Sequence, residues 1–213
     1  ENYLKQILVE SLQGTSSEVG MGKIADCLGV TPGTATTMVK NMDSKGWVKY
    51  RPRKGVKLTT AGRKVGMNML RRHRLLETFL VETLGLDWGE IHEEAEVLEH
   101  AISEKVLEKL DEFLGRPSHD PHGDPIPTKR GGLPKASNRS LLDCKVGDLV
   151  RIESIQDQEK EFLQFARKNK LMPGRKIEVI RHDRIADSIE IKIDNKTVIT
   201  LGSKTAEKIV IRN

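Results

Sequence analysis

The sequence predicts an α+β fold with three domains: an N-terminal winged helix-turn-helix, a helical middle domain and a C-terminal SH3-like β-barrel. Two short segments with helical spacing of apolar residues are joined by a glycine turn. They are followed by a hairpin in which apolar and polar residues alternate. Long amphipathic patterns come next, and several short alternating segments complete the chain. The predicted boundaries are 1–68 for the first domain, 69–140 for the helical domain with a Pro/Gly-rich linker, and 141–213 for the last domain.

The first domain opens with apolar residues at positions 4, 7, 8 and 12, which is the spacing of one helical face. A second helix over about 21–28 ends at Gly29. A third begins at Thr31, a capping residue, and ends at Gly46. Two short helices joined by a glycine turn predict a helix-turn-helix, and the strands WVKYRP and GVKLT predict a hairpin wing.

Helical periodicity continues over about 60–84, 88–101 and 103–114. Residues 115–140 are rich in Pro, Gly, Ser and Asp, which predicts a partly ordered linker. Five alternating segments follow, interrupted by one helix, EKEFLQFARKN, and they predict the small barrel. Those segments are VGDLVRIESI, RKIEVIRH, SIEIKI, KTVITL and KIVIRN.

The charge of the chain changes sign along its length, although the net charge is only +5. Residues 40–74 hold twelve Lys/Arg and one acid, whereas residues 75–114 hold twelve acids and two lysines. This pattern favours a DNA-facing half followed by a cation-binding half. No apolar run reaches the length of a bilayer span and no signal segment opens the chain, so we expect a cytoplasmic protein without a membrane partner.

The sequence contains two cysteines, Cys27 and Cys144, which lie far apart. This usage fits a reducing compartment and argues against a disulfide framework or a thiolate zinc site. Cys27 shares an apolar stripe with Ile24 and Leu28, so we expect it to be a small core residue.

The candidate DNA-binding residues follow the glycine turn and occupy the wing. Small polar side chains on the third helix can reach base edges or phosphates, and the cations of the hairpin suit phosphates. A helix-turn-helix can also be a protein-contact module, but the polar helix and the basic wing together favour DNA. The candidates are Thr31, Gly33, Thr34, Thr37 and Lys40 on the helix, and Arg51, Arg53 and Lys54 in the wing.

Histidines and carboxylates recur at helical spacing in the acidic half, so that several share a helix face. A single such pair is more simply explained as a solvated contact that stabilises a helix. Crowding so many acids without a cation costs like-charge repulsion, so the whole set predicts a divalent metal such as manganese, iron or zinc rather than copper(I). The residues are His92, Glu96, Glu99 and His100 on one helix, His73 and Glu77 on another, and Asp120 and His122 in the linker.

No catalytic motif accompanies these residues. The sequence has no P-loop, no nucleophile elbow and no H-E-x-x-H, and the stretch His92–Glu96 ends in the wrong residue for a metalloprotease helix. We therefore expect a protein that is not an enzyme. A winged-helix regulator of a non-metal ligand and a metal-dependent hydrolase are the alternatives.

Three stretches resemble the diphtheria toxin repressor family of iron- and manganese-dependent transcriptional regulators. They are RHRLLE at 72–77, IHEEAEVLEH at 91–100 and HGDPIP at 122–127, and the resemblance covers nearly the whole chain. It is greatest for the manganese-type members with a C-terminal SH3-like (FeoA-like) domain. It implies a homodimer, built on the helices after the wing, that binds a double-stranded DNA operator and represses metal-homeostasis genes.

The resemblance also implies two metal sites in each subunit. The primary site would use Asn2, Glu96, Glu99 and His100. The second would use His73, Glu77 and His92, joined in the longer streptococcal-type regulators by Asp120, His122 and Glu161, with Glu159 as a less favoured alternative to Glu161.

Two departures bear on the identity of the metal. Iron-type members usually carry Cys where this chain has Glu96, so the resemblance implies Mn²⁺ as the cofactor, with Fe²⁺ as the alternative and Zn²⁺ or Co²⁺ as substitutes in vitro. Asn2 stands where the family has Met or Asp. An amide donates only a neutral oxygen, so we expect a weaker primary site or one completed by water.

Overall fold

The structure, a computed structural model, describes residues 1–14, 16, 18–134 and 137–212. The chain divides into two compact units, Glu1–Arg72 with Pro127–Gly132, and His73–Ile126 with Leu133–Asn213. The domain boundaries expected after residues 68 and 140 stay predictions. Residues 135 and 136 of the predicted linker lie outside the described residues.

The first unit is a winged helix-turn-helix. Aliphatic side chains of its helices and wing, among them Ile7, Ile24, Val39 and Val56, form one buried core. Thr31 caps the third helix as expected, because its Oγ1 accepts a hydrogen bond from the Thr34 N–H at 3.2 Å. The elements are α1 (Asn2–Gln13), α2 (Met21–Cys27), α3 (Pro32–Ser44), the antiparallel strands β1 (Val48–Arg51) and β2 (Gly55–Leu58), and the start of α4 (Thr60–Glu82).

The second unit contains the end of α4, two further helices and a sheet. Helix α5 runs Ile91–Ala101 and helix α6 runs Glu104–Phe113. The Ser103 hydroxyl oxygen accepts a hydrogen bond from the Val106 N–H and caps α6. Leu75 of α4 and Leu107 of α6 pack with Ile126, which fixes the segment after α6 against the helices.

Five antiparallel strands form the C-terminal sheet, in the order β6-β5-β4-β3-β7. Alternate residues of β5, Ile189, Ile191 and Ile193, are buried, as the period of two predicts. The strands are β3 (Leu149–Ile155), β4 (Lys176–Asp183), β5 (Ser188–Ile193), β6 (Thr197–Gly202) and β7 (Ile209–Arg212), with α7 (Lys160–Lys168) and α8 (Ser203–Glu207) between them.

The predicted closed barrel is not found. Strands β6 and β7 lie at opposite edges of the sheet, and no ladder joins them within the described residues. The short helix α8, which the sequence pattern did not predict, separates the two strands along the chain and packs against both. The domain is therefore an open antiparallel sheet with helices.

The helices and the sheet of the second unit share one hydrophobic core. Leu80, Trp88 and Ile91 from the helical part belong to the same buried cluster as Ile152 and Leu163 from the sheet domain. This common core holds the helices and the sheet domain together. Within the described part of the chain, no helix combines the length and apolar composition needed to cross a membrane.

Cys27 differs from the expectation for a core residue, because its side chain is exposed. Helix α2 buries Ile24 and Ala25, and the Cys27 thiol lies 3.4 Å from Glu10 Oε1. Cys144 is buried beneath the sheet.

Candidate metal centre and DNA-binding surface

His73 of α4 lies at the centre of the candidate metal ligands and is almost fully buried. Its Nε2 atom is 3.1 Å from Glu77 Oε1 and 3.0 Å from His92 Nδ1. Its Nδ1 atom is 2.7 Å from Glu99 Oε2 and 3.5 Å from Glu96 Oε2. One imidazole ring therefore faces ligand candidates on both sides.

Three groups of side chains bring ligand atoms within 4.8 Å of one another. The Glu77–His92 group consists of His73, Glu77 and His92; the Glu99 group consists of His73, Glu96 and Glu99; and the His122 group consists of Glu77, Asp120 and His122. Glu77 is shared by the first and third groups and His73 by the first and second. The structure thus brings together five of the residues predicted for the second site, from α4, α5 and the loop after α6.

Glu77 is a buried carboxylate that remains ionised. Burial raises the pKa of its carboxyl, but the charge of His73 and the hydrogen bonds from His73 and His92 outweigh burial and hold the pKa well below its usual value. An ionised oxygen facing two imidazoles is the environment in which a divalent cation binds.

The loop from Asp120 to Asp124 is shaped by its own first side chain. Asp120 Oδ1 accepts hydrogen bonds from the backbone N–H groups of His122 and Asp124, each at 2.9 Å. Its other oxygen lies 3.4 Å from Nε of Arg74. Burial and the charge of Asp124 raise the pKa of Asp120 well above its usual value, against the opposing effect of Arg74.

His122 has one ring nitrogen that lacks a hydrogen-bond partner. The ring is fully buried, and its Nε2 lies 3.3 Å from the carbonyl oxygen of Trp88, which can only accept a hydrogen bond. Burial lowers the pKa of His122, so the ring is neutral and its proton resides on Nε2. The lone pair of Nδ1 then has no donor among the described residues, and a buried acceptor of this kind suits a metal ion.

The primary-site residues on α5 are brought together less completely. Glu96 and Glu99 form a group with His73. His100 is not a member of that group, but its Nε2 lies 3.6 Å from Glu99 Oε1. Glu99 is fully buried, whereas His100 is partly exposed. The candidate ligands therefore become more exposed from Glu99 toward His100.

The remaining predicted ligands are not placed in these groups. Asn2 is the first residue of α1 in the first unit, and its role stays a prediction. Glu159 and Glu161 stand at the start of α7, and both are exposed. Neither belongs to a ligand group within the described residues, so the contribution of the C-terminal domain also stays a prediction.

Arg74, Trp88 and Gly123 support the centre but were not singled out from the sequence. The guanidinium of Arg74 contacts both carboxylates of the loop, Asp120 and Asp124. The indole of Trp88 stacks on His122. Arg74 and Gly123 lie within the stretches 72–77 and 122–127 that carry the family resemblance, but neither was assigned a role from the sequence.

The predicted DNA-binding residues are all exposed in the first unit. Thr31, Gly33, Thr34, Thr37 and Lys40 are exposed on α3, while its opposite side buries Ala35 and Val39. The Thr37 hydroxyl donates to the Gly33 carbonyl at 3.0 Å, which leaves its lone pairs and methyl group toward solvent. Arg51, Arg53 and Lys54 are exposed in the wing, and Arg51 forms an ion pair with Glu18.

A divalent cation fits the donors of the second unit. The three groups consist only of imidazole nitrogens and carboxylate oxygens. The lone pair at His122 Nδ1 has no donor within the described chain, and Glu77 is an ionised acid with almost no exposure. An ion bound here would accept the lone pair of His122 Nδ1 and add positive charge beside the ionised Glu77.

A winged helix joined to a carboxylate- and histidine-rich helical centre defines the class of metal-binding DNA regulators. Comparison with known families agrees with this class. Residues 1–56 match the N-terminal DNA binding domain of iron-dependent repressors, residues 59–128 match their metal binding and dimerisation domain, and residues 139–213 match the FeoA domain.

The chain belongs to the iron-dependent repressor family, which confirms the resemblance to diphtheria toxin repressors. It is 37% identical over 127 residues to the iron-dependent repressor IdeR of Mycobacterium leprae, covering 60% of this chain but only 54% of that protein. It is 31% identical over 114 residues to the regulator MntR of Lysinibacillus sphaericus, covering 54% of this chain and 80% of MntR.

A solved manganese-dependent transcriptional repressor in complex with manganese has a TM-score of 0.90 to this chain at 35% identity. The match covers 99% of this chain and 97% of that one. The family is one of transcriptional repressors rather than enzymes, in agreement with the absence of a catalytic motif.

Proposed function

We propose that this chain is a manganese-activated, DNA-binding repressor of metal-homeostasis genes. The observation that carries the proposal is the buried His122 group, in which a neutral imidazole lies close to Glu77 and Asp120 and its buried Nδ1 has no hydrogen-bond donor among the described residues. Membership of a family of metal-dependent repressors supports it. Fe²⁺ is the alternative activating ion.

The chemistry of the donors favours manganese. Carboxylate and imidazole ligands suit Mn²⁺, whereas thiolates select softer ions. Cys27 and Cys144 both lie outside the three groups of the described residues. A similar structure is described as a manganese repressor bound to manganese, which supports the same preference.

We assign one ion to the His122 and Glu77–His92 groups, which share Glu77. A second ion is assigned to Glu96, Glu99 and His100, with Asn2 as the fourth ligand. The exposed Glu161 is proposed to complete the first of these sites.

Metal binding and DNA binding are proposed to be linked by a homodimer. Large apolar side chains remain exposed on α5 and α6: Val97 at 72%, Val106 at 55% and Phe113 at 68%. Exposed apolar side chains of this size favour a buried subunit contact. Metal binding beside this surface would stabilise the dimer that presents two α3 helices to two operator half-sites.

Selection from a random duplex DNA library tests the function. Full-length protein is used with Mn²⁺, with Fe²⁺ under anaerobic conditions, with Zn²⁺, or with a chelator. We expect a palindromic sequence to be enriched with Mn²⁺ and not with the chelator. Equal enrichment in the chelator arm would contradict metal activation and would favour a regulator of a non-metal ligand.

A further inference from the structure

The contact between His73 and Glu99 links two of the ligand groups. Nδ1 of His73 lies 2.7 Å from Glu99 Oε2, a shorter separation than either of the contacts made by Nε2. Glu99 is fully buried and His73 is 4% exposed, so both side chains are held in place by their surroundings.

We infer that Glu99 is a positioning residue for His73 and thereby sets the metal affinity of the neighbouring site built on Glu77 and His92. This rests on the proposed function, because it assumes that an ion binds there. The resemblance assigns Glu99 only to the primary site as a ligand; the contact with His73 gives it a role in the second site.

The chemistry follows from the two nitrogens of an imidazole. A neutral ring that ligates a metal through Nε2 carries its proton on Nδ1. With an ion on Nε2 of His73, the Nδ1–H would point to Oε2 of the buried Glu99, 2.7 Å away, and would donate a hydrogen bond to it. Such a bond fixes the orientation of the ring and increases the basicity of the ligating nitrogen, and its loss typically weakens metal affinity by about 10- to 100-fold.

The two oxygens of Glu99 face different groups. Oε2 faces His73, while Oε1 lies 3.6 Å from His100 Nε2. Glu99 can therefore keep His73 in position from one oxygen while its other oxygen belongs to the primary site. The two proposed sites are joined through one carboxylate and one imidazole.

The test isolates the second site by disabling the primary one. Full-length His100→Ala protein is titrated with Mn²⁺ and free Mn²⁺ is measured by electron paramagnetic resonance. The same titration is made with His100→Ala/Glu99→Gln and with His100→Ala/Glu94→Gln. Glu94 is an exposed residue of the same helix outside all three groups, so the second variant is a control with the same loss of charge.

We expect Glu99→Gln to weaken binding of the remaining Mn²⁺ by about 10-fold or more, and Glu94→Gln to change it by less than about threefold. Equal affinities of the two double variants would overturn the inference and leave the proposed function intact. Absence of Mn²⁺ binding in the wild-type chain would overturn both.

A spectroscopic measurement remains decisive even if the Glu99 variant does not fold. In ¹⁵N-histidine spectra of His100→Ala protein loaded with Zn²⁺, a diamagnetic probe, we expect His73 to be metal-bound at Nε2 and protonated at Nδ1. The resonance is assigned by its loss in His73→Gln. Metal bound at Nδ1 of His73 would contradict the role of Glu99.

Discussion

The ring of His122 stacks on the indole of Trp88, with centroids 4.9 Å apart and an angle of 29° between the planes. The backbone carbonyl of Trp88 also lies 3.3 Å from Nε2 of the same imidazole. Trp88 thus supports both the face and one nitrogen of a predicted ligand, and the other nitrogen, Nδ1, is buried without a hydrogen-bond partner among the described residues.

Trp88→Ala should weaken Mn²⁺ binding and destabilise the fold. Removing a buried Trp typically costs about 3 kcal/mol or more in unfolding free energy, and the loss of ring support should lower metal affinity by about 10-fold. Chemical denaturation and Mn²⁺ titration measure the two effects. Trp88→Phe keeps an aromatic face and should retain most of the affinity; an equal loss in both variants would exclude stacking as the cause.

The stability of the metal-free protein should depend on the protonation of His122. Burial lowers the pKa of His122 from its ordinary value of 6.5, so the unfolded chain binds this proton more readily than the folded chain does. The contribution of the neutral ring is present above pH 6.5 and is lost as the pH falls below that value.

The measurement is the unfolding free energy in chelator between about pH 7.5 and about pH 5.5. The wild-type protein should lose stability more steeply than His122→Gln over this range. His119→Gln, which changes a histidine of the same loop outside the ligand groups, is the control and should follow the wild type. Parallel curves for all three proteins would contradict a buried neutral His122.

Gly123→Ala should be more damaging than an alanine at another glycine of the same backbone conformation. Gly123 has φ of +89°, and a Cβ atom there would lie 2.0 Å from the carbonyl oxygen of Glu153. The close approach exists because the Ile155 N–H donates to the His122 carbonyl at 2.9 Å. Backbone strain and steric overlap together should lower the unfolding free energy by about 3 kcal/mol and weaken Mn²⁺ binding.

The control is Gly131→Ala, where φ is +79° and no atom lies within 4 Å of the added Cβ. This substitution should lower the unfolding free energy by about 1 kcal/mol, because it introduces backbone strain alone. Chemical denaturation gives both values. Equal costs would show that the contact with β3 does not constrain the metal-binding loop.

The wing should contribute affinity that does not depend on DNA sequence. The triple substitution of Arg51, Arg53 and Lys54 by Ala should weaken binding to every duplex and reduce the salt slope by about 2.7, since each of the three lost phosphate contacts removes about 0.9. Fluorescence anisotropy at several salt concentrations measures the slope. A triple substitution of Arg181, Lys196 and Lys204 removes the same charge from the C-terminal domain and should leave the slope unchanged. An unchanged salt slope in the wing variant would remove the wing from the interface.

Helical spacing in the sequence indicated which side chains of one helix lie together, but not which side chains of different helices are in contact. The i, i+4 spacing of His73 and Glu77 placed them on one face because a helix has a fixed period, and both now face His92. The spacing could not show that His73 also reaches Glu99, because that contact depends on how α4 packs against α5.

Tertiary packing also explains the other features of the structure that the sequence did not predict. Trp88 showed no local signal because its role comes from stacking on a loop 34 residues away. Cys27 followed an apolar stripe, yet α2 buries only a narrow face in which Ile24 is included and Cys27 is not. Strand periodicity predicted the five strands, but it contained no information on whether β6 and β7 would meet.

Metal bound at the helical centre is proposed to control DNA binding, and the His100→Ala variant should separate the two. His100 belongs to the proposed primary site and is partly exposed, so its replacement should leave the fold intact. The measurement is the affinity for the selected operator with Mn²⁺ and with chelator, for wild type and variant. We expect Mn²⁺ to tighten DNA binding by the wild type about 100-fold, a coupling of about 2.7 kcal/mol, and to have little effect on the variant. A folded His100→Ala protein that responds to Mn²⁺ as fully as the wild type would contradict it.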